Sequence, residues 1–319
     1  MREFKNNITI AGVLVKHTLE ETTYGDGVEC IRGEVIIRTS DGGEHAVKMF
    51  ANKYRKNPDG TFSSEENKIY KSLMTVISEY KTLEEYPDEP DFVQITSGSF
   101  GVNDYVSKNS GELVTINTVS SNFINRIDSS KVEATPATAK FEVEGVIESI
   151  KDEIIKDTPT GNLSVVMDVI TQSKKGSGKD ASCEVRSMFP LRLFVASDLA
   201  DTFRSTFSEG CFTKLCGNLV NKAETVTTTE KQAFGEDIVK TFTNTIRRNE
   251  VTSGSAPVSI YEVELTDDIC QQLISQRKAV IAEVMNGKKT AHTSDSTPAP
   301  VSNGNPFANK TASKNPFMK

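Results

Sequence analysis

Between Lys48 and Lys56 the chain reads Lys48-Met49-Phe50-Ala51-Asn52-Lys53-Tyr54-Arg55-Lys56, a close mixture of cations and aromatic rings. Cations at such spacing can follow phosphates, and rings can stack bases, each contributing about 1–3 kcal/mol. With Val47 and Met49 turned into a core, strand alternation carries Lys48 and Phe50 to the opposite face. The other reading of Phe50 is a core ring flanked by solvated charges. A second mixture, Arg186, Phe189, Arg192 and Phe194, has the same two readings for its rings. A basic loop follows a different pattern, with Lys174, Lys175 and Lys179 around glycine and serine. Its Gly176-Ser177-Gly178-Lys179 is not a phosphate-binding P-loop. Ser173 stands where a Walker motif needs glycine, and Asp180 stands where it needs a magnesium-binding hydroxyl. Phe100, Tyr105, Arg247 and Arg248 are further candidates for the same surface.

Other chemistry is poorly supplied. There is no HExxH and no serine, histidine and aspartate set, so no enzyme is expected. Five cysteines without a CxxC pair and three histidines make a metal site improbable, and neither metal nor cofactor is expected. The net charge is −7. Five lysines and one aspartate from Lys288 to Lys319 give +4, so the preceding 287 residues carry −11. Any face for a polyanion must therefore be local. No apolar run reaches the roughly 18–20 residues of a membrane span. The first residues lack a signal-peptide core, so a cytoplasmic location is expected.

The elements that must position these residues come in two similar sets. Ile8-Thr9-Ile10-Ala11-Gly12-Val13-Leu14 and Phe141-Glu142-Val143-Glu144-Gly145-Val146-Ile147 both alternate up to a glycine. That is a half-buried strand with a sharp bend. Second strands follow at Gly33–Arg38 and Leu163–Asp168, and third strands at Ala46–Phe50 and Glu184–Phe189. A helix follows each. Ser63 and Glu66 read as a capping box for the first, whose apolar face is Ile69, Leu73, Val76, Ile77 and Tyr80. Ser197 reads as the cap of the second, with Leu199, Phe203 and Phe207 on one face. Fourth strands begin at Phe92 and Phe212, and closing strands span Leu113–Thr118 and Ile238–Thr243.

Three strands, a helix and two strands, twice over, is the order of the oligonucleotide/oligosaccharide-binding (OB) fold. The expected architecture is mainly β: two tandem five-stranded barrels, at 1–128 and 139–252, joined by a linker at 129–138. A short strand and a helix follow at 258–287. The helix has Thr266 as its cap and a stripe of Ile269, Leu273, Val280, Ile281 and Val284, which must bury against a barrel or a partner. Residues 288–319 have the composition of a disordered tail.

Each half resembles the single-stranded-DNA-binding (SSB) proteins, particularly those of bacteriophages, in this order and in the opening Asn7-Ile8-Thr9-Ile10-Ala11-Gly12-Val13-Leu14. The resemblance implies a protein that coats single-stranded DNA in replication or recombination, encoded by a phage or mobile element. It also implies a tail that docks on other replication proteins, here through Pro306, Phe307, Pro316 and Phe317 in two Asn-Pro-Phe repeats. The tail departs from that family in lacking an acidic run and in ending on Met318-Lys319. The competing expectation is a protein-interaction or virion-structural module built on the same barrels.

Overall fold

The computed structural model describes residues 2–287, except 26, 58–59, 156, 176–181 and 231–237, with backbone alone at 174–175, 182, 224–230 and 238–244. The tail residues Pro306, Phe307, Pro316 and Phe317, together with Lys179, lie outside the described residues.

Apolar alternation builds the first barrel from β1 (Asn6–His17), β3 (Val28–Arg38), β4 (Glu44–Asn52), β7 (Phe92–Val106) and β8 (Leu113–Ser120). Their inward residues, among them Ile8, Ile10, Val35, Val47 and Ile95, are fully buried. The pairing closes on itself: β1 to β3, β3 to β4, β4 to β8, β8 to β7 and β7 to β1. The β4–β8 contact, Lys48 opposite Ser120, is parallel. The second barrel uses β10 (Ala139–Ile155), β11 (Thr158–Lys175), β12 (Ser182–Val195), β13 (Phe212–Glu230) and β14 (Ile238–Gly254). It closes in the same order, with a parallel contact at Phe194 and Glu250. Both are OB barrels, and the mainly β architecture is as expected.

The first barrel carries additional strands: β2 (Glu20–Tyr24), which pairs with β3, and a hairpin of β5 (Tyr54–Lys56) and β6 (Phe62–Glu66). This hairpin overturns the expected capping box. Ser63 and Glu66 lie in β6, and α1 (Lys68–Glu79) is capped by Asn67, whose Oδ1 accepts from the Ile69 N–H at 3.1 Å. A short β9 (Asn125–Arg126) pairs with β7, and one helical turn, α2 (Ser129–Val132), opens the expected linker. In the second barrel α3 (Ser197–Thr206) starts one residue earlier than expected: Ala196 holds the cap position and Ser197 is already helical. Leu199, placed on the apolar face by its spacing, is exposed, while Ala200 and Phe203 are buried.

Gly12 and Gly145 hold matching places. A Cβ on Gly12 would stand 2.1 Å from the Arg38 carbonyl oxygen, and one on Gly145 would stand 2.3 Å from that of Asp168. Only glycine allows the bent strand to cross so close to its neighbour. From these anchors the ladders put Arg38 with Asp168, Val47 with Leu193 and Lys48 with Phe194. The counterpart of the 46–50 segment is therefore Arg192–Ala196, not Glu184–Phe189. Of the latter, Glu184–Ser187 lies on the arm of a long β11–β12 hairpin, and Phe189 is where that hairpin enters the core. Similarly, closure by β14 occurs around Glu250, beyond the expected Ile238–Thr243.

The barrels are joined edge to edge. β1 pairs antiparallel with β10, Asn6 opposite Val143, Ile8 opposite Phe141 and Ile10 opposite Ala139. Because Ile8 and Phe141 are themselves matching residues, the register is centred on an approximate twofold axis. Two seam contacts use matching acceptors, though their donors come from strands that do not match, β8 for Asn117 and β13 for Asn221. The Asn117 amide donates to the Pro190 carbonyl at 2.8 Å, and the Asn221 amide donates to that of Glu44. Glu44 and Pro190 are matching residues, opposite Arg38 and Asp168. One apolar core runs through both barrels, with Phe100 edge-on to Phe141 at 5.7 Å.

After β14 the expected strand at Val258–Leu265 is a single bridge, Val258 to Phe212, followed by a 3-10 turn at Ile260–Val263. The helix α4 (Asp267–Met285) then docks on the barrels. Leu273 is buried with Phe4, Ile170, Phe212 and Leu265. Arg277 reaches Asp104 on β7 at 2.7 Å.

Candidate nucleic-acid interface

On β4 the alternation is as expected. Val47, Met49 and Ala51 are buried, and Lys48, Phe50 and Asn52 face out. The β3 partners opposite Lys48 and Phe50 are Glu34 and Arg32. Burial pushes the half-buried Lys48 ammonium below its usual range, and Glu34 opposes the shift in part. Phe50 is not a core ring. It meets Tyr24 of β2 at 5.9 Å between centroids, and the Tyr24 hydroxyl donates to Asn52 Oδ1 at 3.0 Å. The chain then turns into β5, where Tyr54 is 37% exposed and Arg55 and Lys56 stand in solvent.

The cations of this run are not equivalent. Lys53 is tied to Glu29 at 3.0 Å, and the Glu29 hydrogen bond and charge hold its ammonium above the usual range. Arg55 and Lys56 have no ion pair among the described residues. A cleft of about 380 Å³ opens beside them, lined by Phe50, Asn52, Tyr54, Arg55, Lys56 and Asn122. A larger cleft of about 650 Å³ shares Arg55 and is lined by Phe62, Glu65 and Lys68 across the β5–β6 hairpin. Rings, open cations and amide donors thus converge on one outer face of the first barrel.

The second set of candidates does not converge. Phe189 is 4% exposed and belongs to the core, so its ring cannot stack on a ligand. The inward position follows from its place among Leu191, Leu193 and Val195 on β12. Arg186 is exposed on the β11–β12 arm. Arg192 is exposed at the seam between barrels, its N–H bound by Asn117 Oδ1 at 3.2 Å and its carbonyl by Asn249 at 2.8 Å. Lys174 and Lys175 sit on β11, opposite Cys183 and Ser182, in the same arm. Phe100 is buried, while Tyr105 and Arg247 lie on the hairpins.

Sequence reasoning missed Tyr24, Asn52, Phe62 and Asn122. Glu20–Tyr24 has no apolar alternation, and Phe62 belongs to a strand legible only through its partner. Among the described residues no group of histidines, cysteines or carboxylates could hold a metal ion, and no helix is long and apolar enough to cross a membrane.

This fold and face define a tandem OB-barrel protein with an aromatic and basic surface on its first barrel. The chain belongs to the YorF family, whose profile matches residues 5–287. Comparison with curated proteins gives no match. Among solved structures the chain is similar to the single-stranded DNA binding protein from Thermus aquaticus. The wild-type structure shares 11% identity at a TM-score of 0.43, over 81% of this chain and 95% of that chain. A deletion mutant of the same protein shares 13% at 0.42, over 81% and 97%.

Proposed function

We propose that this protein is a non-enzymatic single-stranded DNA-binding protein, acting inside the cell where replication or recombination exposes single strands. The observation that carries this reading is the shared outward face of Tyr24, Phe50 and Tyr54 with the open cations Arg55 and Lys56. Stacking tolerates any base, because every base has a π-face, and cations add counterion release along the backbone. The acidic body is compatible with this, because Lys53 and Lys48 are countered locally by Glu29 and Glu34, while the hairpin cations have no ion pair among the described residues.

The test is fluorescence anisotropy with a labelled dT oligomer, titrated with salt. Binding at about 50 mM salt that weakens linearly on a log–log plot is expected. Absence of binding at that salt would sink the proposal and favour a protein-interaction module.

A further inference from the structure

The approximate twofold axis allows the outer faces of the barrels to be compared position by position. Where the first barrel presents Lys48, the second places Phe194, and the parallel contacts Lys48–Ser120 and Phe194–Glu250 match Thr118 with Arg248. The Arg248 guanidinium lies 4.1 Å from the centroid of the Phe194 ring. It also meets Glu153 at 3.3 Å, with side-chain exposures of 28% and 20%. Glu153 is fixed in turn by Thr160 at 2.8 Å and Asn162 at 3.0 Å, and Asn162 accepts from the Ser197 N–H at 3.0 Å. Desolvation alone would raise the Glu153 carboxyl, but the Asn162 and Thr160 hydrogen bonds and the Arg248 charge hold it below its usual range. The ring face is thus covered by a cation whose charge is already met. At the place of Phe50 the second barrel has Ala196, and α3 follows at once, leaving no hairpin to carry a counterpart of Tyr54, Arg55 and Lys56.

We infer that strand binding on this face is confined to the first barrel, the matching face of the second being closed by Arg248, which sits on Phe194 where a base would stack. A guanidinium over a ring gains electrostatically from the ring quadrupole and is pinned here by a carboxylate, so a base must break both interactions to enter. The inference rests on the single-strand reading above.

The experiment uses the full chain and labelled dT oligomers, comparing wild type with Phe50→Ala/Tyr54→Ala, Phe194→Leu and Arg248→Met. Phe194→Leu removes the π-face, and Arg248→Met removes the charge while keeping an unbranched stem over the ring. The double variant is expected to lose roughly tenfold or more in affinity. Phe194→Leu and Arg248→Met are expected to stay within about twofold of wild type, with an unchanged salt slope. Circular dichroism melts confirm that each variant is folded. If a folded Phe194→Leu or Arg248→Met binds about fivefold or more weakly, or Arg248→Met reduces the salt slope by about 0.7–1, the second barrel touches the strand and the inference fails alone. If the wild-type chain does not bind, the single-strand reading fails and takes this inference with it.

Discussion

Arg55 and Lys56 stand one and two positions beyond Tyr54 on a solvent-facing hairpin, while Lys53 is held by Glu29. Replacing Arg55 and Lys56 together with alanine should weaken binding alike for every sequence. It should also lower the salt slope by about 1.4, roughly 0.7 for each phosphate no longer neutralised. Lys53→Ala should do less, because an ion-paired lysine releases fewer counterions on binding. A salt-dependent anisotropy series measures both. A different residue governs stability against pH. Burial first, and then the charge of Glu148, raises the Asp168 carboxyl to about 6, with Arg277 opposing. A folded value above the unfolded one means that the folded state holds the proton more tightly. The stabilisation is therefore complete below about pH 4 and is lost as pH rises through about 6. Asp168→Asn should raise the melting temperature at pH 7.5, by on the order of 1–3 kcal/mol in stability, and have little effect at pH 4. An equal effect at both pH values would contradict that account.

At the scale of elements, the bent first strands and the terminal helix carry the clearest consequences. A methyl on Gly12 would press into the Arg38 carbonyl carbon and oxygen, which are backbone atoms and cannot swing away. Gly12→Ala should cost about 1–3 kcal/mol or more, read as a shift of the urea midpoint with unchanged slope. The helix α4 is locked to the first barrel by Arg277 and Asp104, whose side chains are 12% and 6% exposed. Thr115 also donates to Asp104, at 2.7 Å. Arg277→Ala leaves that carboxylate buried without its cation, at a cost of about 3–5 kcal/mol. Faster amide hydrogen exchange along α4 is the expected sign. Of the stripe expected along this helix only Leu273 is buried and Val280 is exposed, and what the helix packs on is not legible in its sequence. Leu273 and Arg277 reach residues far back in the chain, Phe4 and Asp104 among them. The capping of α1 escapes the sequence for a related reason: Ser63 and Glu66 have cap chemistry, but strand pairing with Tyr54 takes up that stretch.

For the molecule as a whole, the β1–β10 ladder and the shared core make the two barrels one cooperative body. Calorimetry of the full chain should give a single transition whose calorimetric and van't Hoff enthalpies agree. Two resolved transitions would mean that the shared core is not energetically shared. The twofold relation also explains how duplicated barrels come to differ in use. Matching backbones keep Gly12 and Gly145 at their crossings. The outer faces are free to diverge into an open aromatic surface on one barrel and an Arg248-covered ring on the other.

The amino-acid sequence by itself determined that there are two barrels of one kind and that Lys48–Lys56 mixes rings with cations. Alternation, glycine punctuation and residue chemistry are local properties, and the core cannot form without them. Which strand meets which lay beyond it. A period of two says which face a side chain takes, but not who stands opposite. The third-strand match read from sequence therefore falls one stretch too early, and Phe189, a candidate stacking ring, is core. Only the tertiary structure set Phe50 and Tyr54 on one cleft, brought Tyr24 against Phe50 and placed Arg248 on Phe194. Those neighbours come from separate strands, and long-range pairing decides them.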